Sequence, residues 1–420
     1  MKTHKLTEQL LKKEKALLDY RFLKVNKNFY LTKDTFWSKD FITTASSRFL
    51  TSFLAPENAT VINLLTKAGF FLLGKTALDE FACGGTGLLA TTGPLENPYH
   101  YQHIPGGSSS GSAILVAKGL VPFALGTDTG DSVRRPAAYC GIIGFKPSYG
   151  IISRYGLIPM ATSLDTVGIL AKEVKITKKV FSVIAQPDPN DLLTITKKKI
   201  IAFKPTKKIA ILQGLEKYLQ PKLNFFYQQI LTNLKKKGYV IQKVFLPKKI
   251  SENLQLTYLA LFSSEFVSHL NSLQGITYGR KGTNSITKKR SDNLGKIVKE
   301  RLLIGAYFLE SQGDLIKAKQ LRSLVVNWTK KIFQKHDFLV FPSPNGSAPH
   351  QDNFSAGFVN EHWSDNLLLL ANLAGLPSIN LPIGFIDSLP VSINLNCAYN
   401  QDNFLLNFAE LLENNLIKEN

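Results

Sequence analysis

Apolar residues recur at helical spacing in one segment after another, and each segment ends on a glycine followed by strand-like residues. In "ATVINLLTKAGFFLLGKT", Val61, Leu64, Leu65 and Ala68 fall at i, i+3, i+4 and i+7. Gly69 stands where a glycine ends a helix, and Phe70 to Leu73 reads as a buried strand. The order returns in "NFFYQQILTNLKKKGYVIQKVFLP", with Phe226, Ile230 and Leu234 on a helix that Gly238 stops. It returns again in "DNLLLLANLAGLPSINLPIGF". Repeated helix–glycine–strand units predict an α/β fold with a mostly parallel or mixed sheet. No internal repeat or low-complexity linker interrupts them. A polar, Lys-rich stretch at about 172–207 is a candidate junction between lobes.

Composition supports a large core, since 44% of the 420 residues are hydrophobic. The three cysteines, Cys83, Cys140 and Cys397, share no metal-like spacing and fit a reducing compartment rather than a disulfide framework. The first residues, "MKTHKLTEQLLKKEKALL", are charged and lack the apolar stretch of a secretory signal. No run of about 18 apolar residues is present to span a membrane. A cytoplasmic protein is expected. The net charge is +20, which suits an RNA or acidic partner through long-range attraction. The Lys runs (Lys197 to Lys199, Lys235 to Lys237, Lys288-Lys289-Arg290) also fit solvated faces at element ends in a generally Lys-rich sequence.

"GFFLLGKT", Gly69 to Thr76, matches the phosphate-binding pattern G-x-x-x-x-G-K-[ST] in letters only. That pattern works as a strand, a Gly-rich loop and then a helix whose N-terminus faces phosphate. Here a helix comes first and the middle is Phe-Phe-Leu-Leu, so Lys75 reads as structural.

Two clusters carry candidate chemistry. "PGGSSSGSA", residues 105 to 113, runs straight into the apolar helix Ala113 to Ala117. "GTDTGDSVRRPAAYCG", residues 126 to 141, follows the strand-like "VPFAL" and places Ser132 after a tight turn, where backbone N–H groups can converge on an oxyanion. A serine nucleophile needs a base. Of the seven histidines, only His100 and His103 precede the loop closely, and none sits in a G-x-S-x-G elbow. A buried lysine, neutral because burial lowers its pKa, is the other candidate.

These residues resemble the amidase-signature family, whose members hydrolyse amides with a Ser-cisSer-Lys triad. The family's "GGSS" loop and "DTGGS-[IV]-R-x-P-A" segment are matched with Ser108 and Ser132, 24 residues apart. The family's lysine lies in a Lys-Asp pair 75 residues before the first serine, and "LTKDTF" places Lys33 there. The resemblance implies catalytic Lys33, Ser108 and Ser132, an oxyanion hole from Thr129, Gly130 and Asp131, and a cis bond before Ser108. It implies one domain over 1–420, with a large mixed, mostly parallel central sheet covered by helices on both faces. The signature core lies at about 105–168, and the N-terminal helical segment, 1–28, is shortened.

Three further segments, "GKTALDEFACGG", "FKPSYGIISRYGLIPMATSLDTVG" and "LLLLANLAGLPSINLPIGF", are similar to the branch of the family that serves as the glutaminase subunit of a tRNA-dependent amidotransferase. That branch implies Tyr278, Arg322 and Asp365 as substrate-binding residues for glutamine. An Arg fork suits a carboxylate, and an Asp suits an ammonium. It implies two partner subunits in a heterotrimer, a B-type kinase/transamidase and a small C-type subunit. Misacylated tRNA reaches the complex, and ATP and Mg are used by the partner, with no cofactor or metal in this chain. A stand-alone amide hydrolase of the same family is the alternative.

Three departures from the family pattern stand out. "NFYLTKDTF" is more polar around Lys33 than the usual "GIPIAIKDN". Asp131 replaces the second glycine before the nucleophile, a cost of order 1 kcal/mol if that position needs φ > 0. "TGLL", Thr86 to Leu89, replaces the usual "STEN".

Overall fold

The computed structural model describes residues 14–21, 28–195, 205–273, 292–354 and 362–414. Eleven strands form one sheet: β1 (Leu17–Tyr20), β2 (Phe29–Lys33), β3 (Phe71–Thr76), β4 (Phe123–Asp128), β5 (Ile143–Lys146), β6 (Thr166–Ala171), β7 (Lys208–Leu212), β8 (Val240–Val244), β9 (Phe338–Pro342), β10 (Ser378–Ile386) and β11 (Leu389–Cys397). Their order across the sheet is β1-β3-β2-β4-β6-β5-β10-β11-β9-β7-β8. The principal helices are α1 (Thr60–Lys67), α2 (Ser110–Ala117), α3 (Arg134–Tyr139), α4 (Val174–Ile184), α5 (Pro221–Lys236), α6 (Leu254–Ser272), α7 (Lys296–Glu310), α8 (Gln312–Phe333), α9 (Leu369–Leu373) and α10 (Asp402–Leu412).

Strand alternation buries both faces. Tyr30, Phe123, Leu125 and Ile169 join one apolar cluster, while their neighbours Leu31, Ala124 and Leu170 join another. Helix α2 packs into the second cluster through Ala113 to Val116, and α4 and α10 pack into the first.

The sheet is mixed, as the pattern predicts, but not mostly parallel. Parallel pairing is confined to β3-β2-β4 and to β9-β7-β8. From β4 through β6, β5, β10 and β11 to β9, every pair is antiparallel. The helix–glycine–strand pattern detects only strands reached through a helix. It finds β10 but not the antiparallel hairpin that pairs it with β11 through Asp387 and Ser388, whose φ of 50° and 67° make a tight turn.

The three glycine-terminated helices stand where their patterns place them, and Gly69, Gly238 and Gly375 all have positive φ. The helical segment expected at 1–28 needs correction within its described part. Leu17–Tyr20 is strand β1, antiparallel to β3, with Leu17 buried and Asp19 exposed. The strands flanking the Lys-rich stretch, β6 and β7, belong to the same sheet. Among the described residues no helix is long and apolar enough to cross a membrane.

"GFFLLGKT" runs from the glycine that ends α1 into strand β3, and Lys75 is fully buried. Its Nζ lies 3.4 Å from Asp34 Oδ1, donates to Thr43 Oγ1 at 3.1 Å and also contacts Phe36 O. It is a structural ion-pair lysine, not a phosphate ligand.

Candidate active site

Three strand-end segments meet in one place. β2 ends on Lys33, β4 ends on Asp128 and leads into the turn carrying Ser132, and the Gly-Ser loop holds Ser108 just before α2. Helix α2 is short, and its small residues let the loop approach: Gly111 N–H donates to Ala77 O at 3.0 Å. Lys33 and Ser108 are fully buried, and Ser132 is 7% exposed.

Lys33 Nζ lies 2.7 Å from Ser108 Oγ, 2.9 Å from Thr127 Oγ1 and 3.4 Å from Thr127 O. The Gly107–Ser108 peptide is cis. Ser109 N–H donates to Ser132 O at 3.0 Å and ties the two loops together. Among the described residues no hydrogen bond joins the Ser108 and Ser132 hydroxyls. Ser132 lines a cleft of about 80 Å³ with Cys83, Asp131, Arg135, Tyr258, Arg301 and Asn366. Desolvation brings Lys33 down to about 7, against the opposing charges of Asp79, Asp128 and Asp165. The more polar sequence around Lys33 therefore does not expose it.

The turn after β4 is locked from below. Asp128 is fully buried, and desolvation pushes its carboxyl up, but Arg134, Lys146 and the Asn372 hydrogen bond together hold it below the usual carboxylate value. Arg134 Nε donates to Asp128 Oδ2 and Nη2 to Asp128 Oδ1, both at 3.1 Å. Arg134 also reaches Gly130 O at 2.7 Å and Leu368 O at 2.9 Å. Asn372 Nδ2 donates to Asp128 Oδ1 at 2.9 Å. The N–H groups of Thr129, Gly130 and Asp131 donate to no acceptor among the described residues. A Cβ on Gly130 would meet the Tyr258 ring at 2.9 Å, so only glycine lets that ring cover the turn.

Asp131 is not among the positive-φ residues, so the backbone cost attached to it does not arise. Its carboxylate turns to Arg135, 2.6 Å away, rather than toward the turn's N–H groups. In the replaced "TGLL" segment, Gly87 and Leu89 N–H groups bind Asp79 at 3.1 Å.

The other expected residues divide. Tyr278 lies outside the described residues. Asp365 stands beside the cleft, half-buried, where desolvation raises its carboxyl despite Arg135, and its backbone O accepts from Arg135 Nη2 at 3.0 Å. Its neighbour Asn366 lines the cleft. Arg322 does not line it. Its guanidinium donates to Leu373 O at 3.0 Å, Ser163 O at 2.9 Å and Ser163 Oγ at 3.2 Å, which is the work of a helix anchor. Two arginines line the cleft: Arg135, which is held by Asp131, and Arg301, on the buried stripe of α7 with Ile297, Val298, Gly305 and Phe308. A charged residue on an apolar stripe was the available signal. Arg322 follows Ala318 by one turn on the inward stripe of α8 and gives the same signal, so sequence alone could not separate them. His103 does not line the cleft; its Nδ1 lies 2.6 Å from Ala348 O. Among the described residues, no group of three or more His, Cys, Asp or Glu is placed to hold a metal ion.

The family model described as Amidase matches residues 30–406. The chain belongs to the amidase family. This amidase-family chain is 37% identical to the A-type subunit of the Mycoplasma pneumoniae glutamyl-tRNA(Gln) amidotransferase, over 91% of this chain and 85% of that protein. It is 36% identical to the counterpart from Lactococcus lactis subsp. cremoris, over 93% and 84%. The crystal structure of the corresponding glutamyl-tRNA(Gln) amidotransferase subunit from Thermotoga maritima superposes with a TM-score of 0.83 at 28% identity, over 98% of this chain and 91% of that one. A peptide amidase from Stenotrophomonas maltophilia superposes with a TM-score of 0.80 at 27% identity, over 98% and 93%. The amidase fold thus carries the buried Lys33–Ser108 pair and the cleft at Ser132.

Proposed function

We propose that the chain is the glutaminase subunit of a cytoplasmic tRNA-dependent amidotransferase. The observation that carries the chemistry is the fully buried Lys33 Nζ, 2.7 Å from Ser108 Oγ and behind the cleft at Ser132. An amine brought to about 7 is available as a neutral base. Ser132 Oγ attacks the side-chain amide carbon of glutamine. Its proton passes to Ser108 as the Ser108 proton passes to Lys33. The N–H groups of Thr129, Gly130 and Asp131 receive the oxyanion, each such donor typically worth 2.7–4 kcal/mol. The C–N bond breaks, the nitrogen takes back the proton through Ser108 and ammonia leaves. Water then hydrolyses the ester on Ser132 and releases glutamate.

The cleft of about 80 Å³ has room for roughly six water-sized groups, the scale of a carboxamide side chain. Arg301 is the better candidate for the substrate carboxylate, with Asp365 near the ammonium. The names of the relatives support a transfer of the ammonia to Glu-tRNA(Gln), and the family resemblance extends the reading to Asp-tRNA(Asn). This step is assigned to a B-type partner subunit with ATP and Mg, in a heterotrimer with a small C-type subunit.

The test is ammonia release from glutamine by the chain co-expressed with both partners, wild type against Lys33→Ala. Loss of release, and a wild-type rate that rises when charged tRNA and ATP are added, support the reading. Undiminished release by Lys33→Ala ends it. Hydrolysis of simple amides that ignores tRNA and ATP points to a stand-alone hydrolase.

A further inference from the structure

The lysine run at 235–237 reads in the sequence as a solvated helix end, but the fold gives it company. Strands β8, β7 and β9 run parallel, with Lys208 opposite Val240 and Ile209 opposite Phe338. Their first residues therefore share one rim of the sheet. There Val240 N–H donates to Lys207 O and Asp337 N–H to Lys208 O, both at 2.8 Å.

Lysines lead every one of these strands to the rim. Lys207 precedes β7. Lys235 and Lys236 end α5 and Lys237 follows it before β8, and Lys330 and Lys331 lie in the last turn of α8 with Lys335 just after it before β9. All seven are exposed. Among the described residues none of them forms an ion pair, whereas Lys118, Lys178, Lys222, Lys243 and Lys317 do. The carboxylate of Asp337 does not offset them. It is buried, and its oxygens accept the N–H groups of Thr206 and Lys207. Helix C-termini favour cations, which accounts for Lys235, Lys236, Lys330 and Lys331 one at a time. It does not account for Lys207 and Lys335, which lie outside the helices, or for the gathering of unpaired charge.

We propose that this rim binds the phosphate backbone of RNA, independently of the amide chemistry. Neighbouring strands lie about 4.8 Å apart, so with the flanking helices the lysines form a front of roughly 15–20 Å. A duplex strand carries a phosphate about every 3.4 Å, so the front faces about five. Lysine is a point charge that holds phosphate without reading bases, so structured RNA of any sequence is the expected ligand.

The probe is fluorescein-labelled bulk tRNA, titrated with the full chain at several salt concentrations and followed by anisotropy. The expected slope of log affinity against log salt is about −4 to −5. The variant Lys207→Glu/Lys235→Glu/Lys236→Glu/Lys237→Glu/Lys335→Glu is expected to lose affinity on the order of 100-fold and to show a flatter slope. A control with the same charge change elsewhere, Lys39→Glu/Lys67→Glu/Lys222→Glu/Lys296→Glu/Lys317→Glu, is expected to retain most binding. Thermal unfolding establishes that both variants fold. Equal losses in the two variants would reduce the effect to net charge and overturn the proposal, as would the absence of wild-type binding. Displacement of the RNA by poly-glutamate as readily as by unlabelled tRNA would assign the rim to an acidic protein instead.

Discussion

Thr127 meets Lys33 Nζ twice, through its hydroxyl at 2.9 Å and its carbonyl at 3.4 Å. A neutral amine has two N–H groups and one lone pair. With both N–H groups turned to Thr127, the lone pair is left facing Ser108 Oγ. Thr127→Val keeps the shape and removes one acceptor. A fall in kcat of roughly tenfold, about 1.4 kcal/mol, is expected with KM for glutamine unchanged. Steady-state glutaminase kinetics check this; an unchanged kcat would leave Thr127 a packing residue.

The pH dependence follows from burial. Lys33 is held near 7, and only the neutral amine accepts a proton. Below that value activity should fall about tenfold per pH unit, and above it level off. Lys33→Arg should be inactive across the range, because a guanidinium keeps its proton. An acid limb unchanged in position when the neighbouring Asp165 is replaced by Asn would weaken the assignment, since Asp165 raises the lysine.

Arginine recognition can be divided between two positions. Arg301→Ala should raise KM for glutamine by about 30-fold or more, the scale of 2 kcal/mol for a lost partner of a buried charge. Arg322→Ala should leave KM near wild type and lower the unfolding temperature, because it frees Leu373 O and the Ser163 contacts. The reverse result would restore Arg322 as the ligand.

Asp131→Gly, which brings back the residue usual in the family, is expected to destabilise the protein. Arg135 is nearly fully buried and would lose its 2.6 Å partner. About 3 kcal/mol is expected, read from denaturant midpoints. A neutral or stabilising effect would mean that the pair is dispensable.

The residues that carry both a motif and a spacing were legible in the sequence. Lys33, Ser108 and Ser132 fall in register with the family's motifs, and that register is what made the number of Lys33 in the chain informative. The glycine-ended helices were legible because positive φ leaves a compositional mark. The antiparallel centre of the sheet was not, because a two-residue hairpin such as Asp387-Ser388 leaves no helix to signal it. Arg301 was not singled out because two arginines lie on inward helix stripes and only the folded cleft separates them. The Asp128–Arg134–Asn372 lock was invisible as a set, since Asn372 lies 244 residues from Asp128.

The ion pair of Asp34 with Lys75 sits one residue beyond Lys33, in the turn that ends the strand, while Lys33 itself reaches Ser108. One residue of this strand end is therefore an anchor and the other a tool. Engineers who widen the cleft for other amides can vary its far wall at Tyr258 and Arg301. Any loosening of the anchor behind the strand would shift the proton acceptor by way of the backbone, without touching a single atom of the cleft.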